Sequence, residues 1–150
     1  MALPVTGPAT GKIVLDTNVF VDFLRAGHHE EWVCGRVPST VRFLSSIVLL
    51  ELRLGADTPR RRRAVSGIRR AFPASRVIAP SPDLHDRAGT LFPITHGMGG
   101  GDRLGPMNDL LIALTAWRMG ATVVTGNAGE FERIAAHLPG LRVTSPRTPG

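Results

Sequence analysis

The chain has 150 residues, one cysteine (Cys34) and 18 basic against 12 acidic residues, giving a net charge of +6 carried by arginine apart from Lys12. That length fits one ordinary domain, and a lone cysteine excludes an internal disulfide and supplies no zinc-site spacing. Arginine in excess favours phosphate-bearing partners, and an interior drawn from 43% apolar but only 5% aromatic residues has to be aliphatic, as suits buried parallel strands under helices.

The opening MALPVTGPATG shows neither a basic leader nor an apolar stretch of signal length, and no later segment approaches a membrane-spanning run. The expectation is a single-domain, soluble, cytoplasmic protein with no membrane contact, with residues 1–11 and 145–150 as flexible ends. Residues 12–16 (KIVLD) are an apolar run closed by an acid, and TNVFVDFLR after them repeats its apolar residues at helical spacing, so a strand, a turn and a helix are expected. A second unit starts at 43–48 (FLSSIV): a short strand, Ser45 or Ser46 as helix cap, then IVLLELRLGA closing near Gly55.

Pro59 predicts a helix over the arginine-rich segment 60–72, RVIA at 76–79 predicts a third strand, and Pro82 with Asp83 opens a helix over 82–95. The segment 96–106, HGMGGGDRLGP, has five glycines and a proline and reads as a loop. It breaks the G-x-G-x-x-G pattern and is not taken as a dinucleotide site. MNDLLIALTAWRM then forms a strongly apolar helix ending at Gly120, with Asn108 and Asp109 in its first turn. ATVVTG is the clearest strand; a helix over 130–138 and a strand at 141–144 (LRVT) complete the chain. Alternating strands and helices at this spacing predict an α/β fold, a mainly parallel sheet of about five strands between helix layers.

Ligands of open parallel sheets bind beyond the carboxyl ends of the strands, which directs attention to Asp16, Asp109, Thr125, Gly126 and Asn127. Glu51 lies in an otherwise apolar helix and needs a cation, an arginine or water as partner. Acids gathered at one sheet edge repel and raise one another's pKa unless a divalent ion neutralises them, and an oxygen-only donor set selects Mg²⁺ or Mn²⁺ over zinc. Each residue also has a plainer reading. Asp16 serves as a helix cap, Glu51 as a solvent-facing side chain, Asp109 as a charge favoured by the helix macrodipole, and Asn127 and Glu130 as turn and cap residues. Their joint placement favours a site.

LDTNVF at 15–20, ELRLGA around Glu51 and NDLLIALTAWRMGATVVTGNAGEF at 108–131, in this order and spacing, resemble PIN-domain nucleases, and VapC-type toxins in particular. The resemblance runs from residue 13 to 144. It implies a PIN-like three-layer α/β/α sandwich and a Mg²⁺- or Mn²⁺-dependent endoribonuclease in which Asp16, Glu51 and Asp109 match three acidic positions of the family. Thr17, Asn18 and Thr125 are expected to fix those acids by hydrogen bonds. At the fourth position, where some members carry Asp, this chain has Asn127, a neutral oxygen ligand, with Glu130 as the nearby acid. Either Glu130 completes the site, directly or through water, or one ion is held in the free protein and a second only with substrate. Asp102 is a minor candidate.

A VapC-type likeness further implies a cognate antitoxin, with Val19, Phe20, Phe23, Leu24, Leu49 and Leu52 as groove or as core, and a homodimer. Two other readings stand beside it: a PIN-like module that binds RNA or a partner without catalysis, and another metal-dependent phosphohydrolase. The second usually needs an Asp two residues after the nucleophilic one, where this chain has Asn18. In the arginine segment Arg62, Arg63, Arg69 and Arg70 return to nearly the same helical azimuth and are expected to meet RNA phosphates, unless they form a solvated face. The five histidines fit no ligand or triad spacing.

Overall fold

A computed structural model describes residues 10–147; residues 1–9 and 148–150, within the ends expected to be flexible, lie outside the described residues. Five strands form one sheet: β1 (Gly11–Leu15), β2 (Thr40–Ser45), β3 (Val77–Ile78), β4 (Thr122–Val124) and β5 (Arg142–Thr144). The order is β3-β2-β1-β4-β5 and every pairing is parallel. Ile13, Val14 and Leu15 of the central β1 are fully buried, because helices cover both faces of the sheet and neither face needs polar residues.

The chain leaves β1 toward β2 and β3, then returns to the other side of β1 to lay down β4 and β5. The order therefore reverses between β1 and β4, where neighbouring connections diverge and leave a crevice at the carboxyl ends of the strands. In register, Leu15 stands beside Val124, so the residues that follow them, Asp16 and Thr125, leave the sheet side by side. The backbone ladder continues one step further, with Asp16 N–H donating to the Val124 carbonyl at 2.9 Å.

Among the described residues seven α-helices flank the sheet: α1 (Thr17–Ala26), α2 (Glu30–Val33), α3 (Ser46–Leu54), α4 (Pro59–Arg70), α5 (Pro82–His96), α6 (Leu104–Met119) and α7 (Ala128–Ala135). Ser45 caps α3, its Oγ accepting from Ile47 N–H. From Leu110 to Ala116 every residue of α6 is buried, so this helix is apolar all round and forms the centre of its layer. No described helix is long and apolar enough to cross a membrane.

Several expected boundaries move. Helix α6 begins at Leu104, not at the end of the glycine segment, so the loop covers only 97–103 and Asp109 sits in the second turn. Pro106 fits because the first-turn N–H groups have no intrahelical acceptor to lose. Helix α7 runs from Ala128 to Ala135, earlier than 130–138, and β3 has two residues instead of four, after a 3₁₀ turn at Ala74–Arg76. Helix α2 is a single turn that the sequence pattern does not predict. Near the ends, Gly11 N–H donates to the Ser39 carbonyl at 2.7 Å and the Pro146 carbonyl lies 3.2 Å from His29 Nδ1.

Candidate active site

Asp16 is the first residue past β1 and the N-cap of α1. Its carboxylate accepts three hydrogen bonds: Thr17 N–H on Oδ1 at 2.8 Å, and Asn18 Nδ2 at 3.1 Å and the Thr125 hydroxyl at 2.8 Å on Oδ2. The capping reading is met by the bond from Thr17 N–H, and the same carboxylate also receives Asn18 and Thr125. Thr125, fully buried past β4, also accepts from Asn127 N–H at 2.9 Å and from Asn18 Nδ2 at 3.3 Å. Asn18 Oδ1 accepts from Gly126 N–H at 2.9 Å. Asn18 thus ties the ends of β1 and β4 across the crevice.

Glu51, on α3, joins this network through Thr17, whose hydroxyl donates to its Oε1 at 2.7 Å. Asp109, on α6, is half-buried and accepts no hydrogen bond among the described residues. Burial and the nearby charges of Asp16, Glu51 and Glu130 push its pKa up to about 7. Burial also raises Asp16, against hydrogen bonds from Thr125, Thr17 and Asn18 that lower it and the charge of Glu51 that adds to the rise. Asp109 thus feels the other three acids and Asp16 feels Glu51, yet among the described residues no three such side chains stand close enough to hold an ion as arranged.

Asn127 is exposed, and its side chain makes no hydrogen bond among the described residues. Glu130, on the first turn of α7, is held instead by His96 at the end of α5: His96 Nε2 lies 2.5 Å from Glu130 Oε1. Sequence reasoning missed His96, whose partner is 34 residues away and which no short-range spacing could have linked to it. Asp102 is exposed and its Oδ1 accepts from Leu104 N–H at 3.0 Å, in the turn that leads into α6.

Beside Glu51 an open cleft of about 570 Å³ lies between α1, α3 and α4. Its charged walls include Arg25, Arg60 and Arg61 over an apolar floor of Val21, Leu52 and Val65. Arg62, Arg63, Arg69 and Arg70 are not among its lining residues. Arg69 donates to the Phe72 carbonyl, and Arg62, Arg63 and Arg70 are exposed. The reason is that α4 packs through Val65 and Ile68, which turns Arg60 and Arg61 rather than the later arginines toward Glu51. Of the apolar residues expected to form a groove or core, Val19, Phe20 and Leu52 are core, Phe23 and Leu49 are partly buried, and Leu24 is exposed on the cleft wall.

The PIN domain model matches residues 13–137, a span that contains every acid described above. The chain belongs to the PIN domain family. No curated protein matches it in sequence. Among solved structures, this PIN domain is similar to FitAcB from Neisseria gonorrhoeae, at 26% identity and a TM-score of 0.63 over 89% of this chain and 97% of that one. It is similar also to VapBC2 from Rickettsia felis bound to a DNA fragment from their promoter, at 27% identity, TM-score 0.60, 89% and 98%. A third similar structure is DNA-bound VapBC from Salmonella typhimurium, at 26% identity, TM-score 0.63, 91% and 98%. A PIN domain is a nuclease fold, so hydrolase chemistry at the strand ends agrees with the placement of the acids.

Proposed function

We propose that this PIN domain is a Mg²⁺- or Mn²⁺-dependent endoribonuclease and the toxin of a toxin–antitoxin pair, working in the cytoplasm. The observation that carries the nuclease reading is Asp109: a half-buried carboxylate with no hydrogen-bond donor, facing the charges of Asp16, Glu51 and Glu130, in a crevice open at the strand ends. A hard divalent ion fits that donor set, because it would offset the burial and the repulsion that together raise Asp109. Asp16, Glu51 and Asp109 would hold it, with Asn127 or Glu130 at the margin. When bound, such an ion stabilises charge developing on the phosphate oxygens during phosphodiester hydrolysis.

The protein's own part is to hold its acids still. Thr125 and Asn18 lock Asp16, and Thr17 aims Glu51. Water attacks phosphorus and gives up a proton to solvent while the bond from phosphorus to the leaving oxygen breaks and that oxygen takes a proton from solvent. The cleft arginines, Arg25, Arg60 and Arg61, are placed for phosphates next to the one cleaved, with Arg62, Arg63, Arg69 and Arg70 farther along α4. The toxin reading is supported by the similarity to VapBC and FitAcB structures. On that reading the partner is a cognate antitoxin, and a second copy of the chain completes a homodimer.

Purified protein incubated with an RNA pool, with Mn²⁺ or with chelator, tests the nuclease reading by mapping new ends. Cleavage is expected with Mn²⁺ only. Asp109→Asn should lower its rate on the order of a thousand-fold, since a disabled metal site removes several kcal/mol of charge stabilisation. Undiminished cleavage by a folded Asp109→Asn protein would overturn it. Growth arrest on expression of the chain, reversed by the product of an adjoining gene, tests the toxin reading separately.

A further inference from the structure

His96 is more than a packed helix end. Its side chain is only 7% exposed and that of Glu130 18%, and they meet at 2.5 Å between Nε2 and Oε1. The ring is fixed on two further sides. It stacks on Phe92, with centroids 4.7 Å apart and planes 14° from parallel, and Thr95 Oγ1 lies 2.6 Å from Nδ1. A ring pinned at both nitrogens and on one face has one rotamer, so it presents Nε2 to Glu130 in a fixed direction. Arg133, the other cation near Glu130, is 59% exposed and 3.9 Å from Oε2, which makes it a weak partner by comparison.

The consequence is a division of labour within one carboxylate. Oε1 is occupied by His96, and Oε2 has only the distant Arg133 beside it, so one oxygen of Glu130 is left for a cation it would share with Asp109. At the position two residues past Thr125 the chain offers Asn127, which brings no charge. We propose that His96 is a positioning residue that holds Glu130 as the fourth acid of the divalent-cation site, so that a carboxylate reached from α7 and anchored from α5 does what Asn127 cannot. The proposal rests on the metal-site reading above.

The arrangement explains a feature the fold otherwise leaves idle. The glycine segment 97–103 starts at the residue after His96, and Arg103 closes it by donating to the Met98 and Gly99 carbonyls. The clasp between His96 and Glu130 therefore stands as a fixed post between a short loop and the acid site. Hydrogen-bonded partners of metal-holding carboxylates typically contribute about 10–100-fold to metal affinity.

The test is Mn²⁺ binding to the RNA-free protein by calorimetry, which needs no turnover. His96→Phe keeps the ring stack on Phe92 but removes the donor, and should weaken Mn²⁺ by about 10–100-fold. His96→Gln restores an N–H donor near the position of Nε2 and should recover most of that affinity. Glu130→Gln should weaken binding at least as much as His96→Phe, and the double variant no more than Glu130→Gln alone, since coupled residues are not additive. Unchanged or tighter Mn²⁺ binding in a folded His96→Phe protein, or full additivity in the double variant, would overturn the proposal. If Glu130→Gln and His96→Phe are neutral while Asp109→Asn abolishes binding, this inference fails and the metal-site reading stands. If Asp109→Asn also binds Mn²⁺ unchanged, both fail.

Discussion

Asp16 and Asp109 are two carboxylates of one crevice held in opposite ways. Asp16 sits at the sheet's point of reversal and receives donors from the backbone of its own helix, from Asn18 and from Thr125 across the crevice. Asp109 comes from a helix whose neighbours are nearly all apolar, and nothing among the described residues donates to it. Hydrogen bonds to the charged form only partly offset burial at the first, which is still raised; burial and three repelling acids act unopposed at the second. The contrast separates structure from function within one site: Asp16 belongs to the frame whether or not an ion is bound, whereas Asp109 is the position where the protein needs a cation or a proton.

The comparison breaks most visibly in stability measured in chelator. Asp109 has a folded pKa of about 7 against an ordinary value of 3.8, so the folded state holds its proton more tightly than the unfolded chain. Stability should fall as pH rises from about 4 to about 7 and then level off, with Asp109 ionised in both states. Asp109→Asn should therefore raise the unfolding midpoint at pH 8 and leave it unchanged near pH 4. Asp16→Asn should lower stability at pH 8 by about 1–3 kcal/mol, because an amide cannot accept on both sides and leaves a buried donor unpaired. Equal gains from the two substitutions would show that the donors around Asp16 contribute nothing. Added Mn²⁺ should stabilise the parent more at pH 8 than at pH 6, since binding must displace the Asp109 proton.

A smaller effect is expected at Thr17, which carries the frame's order from Asp16 to Glu51. Thr17→Val keeps the shape and removes the hydroxyl that donates to Glu51 at 2.7 Å. Mn²⁺ affinity should drop about tenfold. Thermal stability should change by less than about 1.5 kcal/mol, the ordinary worth of one hydrogen bond. A large loss of stability with unchanged Mn²⁺ affinity would place Thr17 in the frame alone.

The smallest effect concerns the arginines. In Asp109→Asn protein binding single-stranded RNA, Arg25→Gln with Arg60→Gln should flatten the slope of log affinity against log salt by about 0.7 for each phosphate no longer neutralised, about 1.4 together. Replacing Arg62, Arg63, Arg69 and Arg70 should change it less per residue, since those side chains do not line the cleft. The reverse ranking would restore the later arginines as the groups that meet RNA.

The frame was legible in the sequence and the pairings across it were not. An apolar run ending in Asp16, a serine before α3 and a glycine after α6 each reveal local structure by local chemistry. Helix α2, four residues of EEWV, is too short for periodicity to register. Leu104 to Pro106 look like loop because Gly and Pro are usually punctuation, and only the structure shows Pro106 in a first turn that tolerates it. A helical wheel groups Arg62 with Arg69, but which side of α4 meets Glu51 depends on where Val65 and Ile68 pack. The pairing of His96 with Glu130 reaches across all of α6 and β4, so no local pattern in the sequence carries it.

The sheet's margins also govern how the chain can meet others of its kind. β3 contributes two paired residues at one edge and β5 three at the other. A free strand that short gives an incoming strand almost no run of unpaired N–H and C=O groups to template on, a common safeguard against uncontrolled stacking of sheets. Edge strands this short offer an incoming chain little to extend. Mispairing through strand addition is thereby closed off while the crevice above the strands stays open.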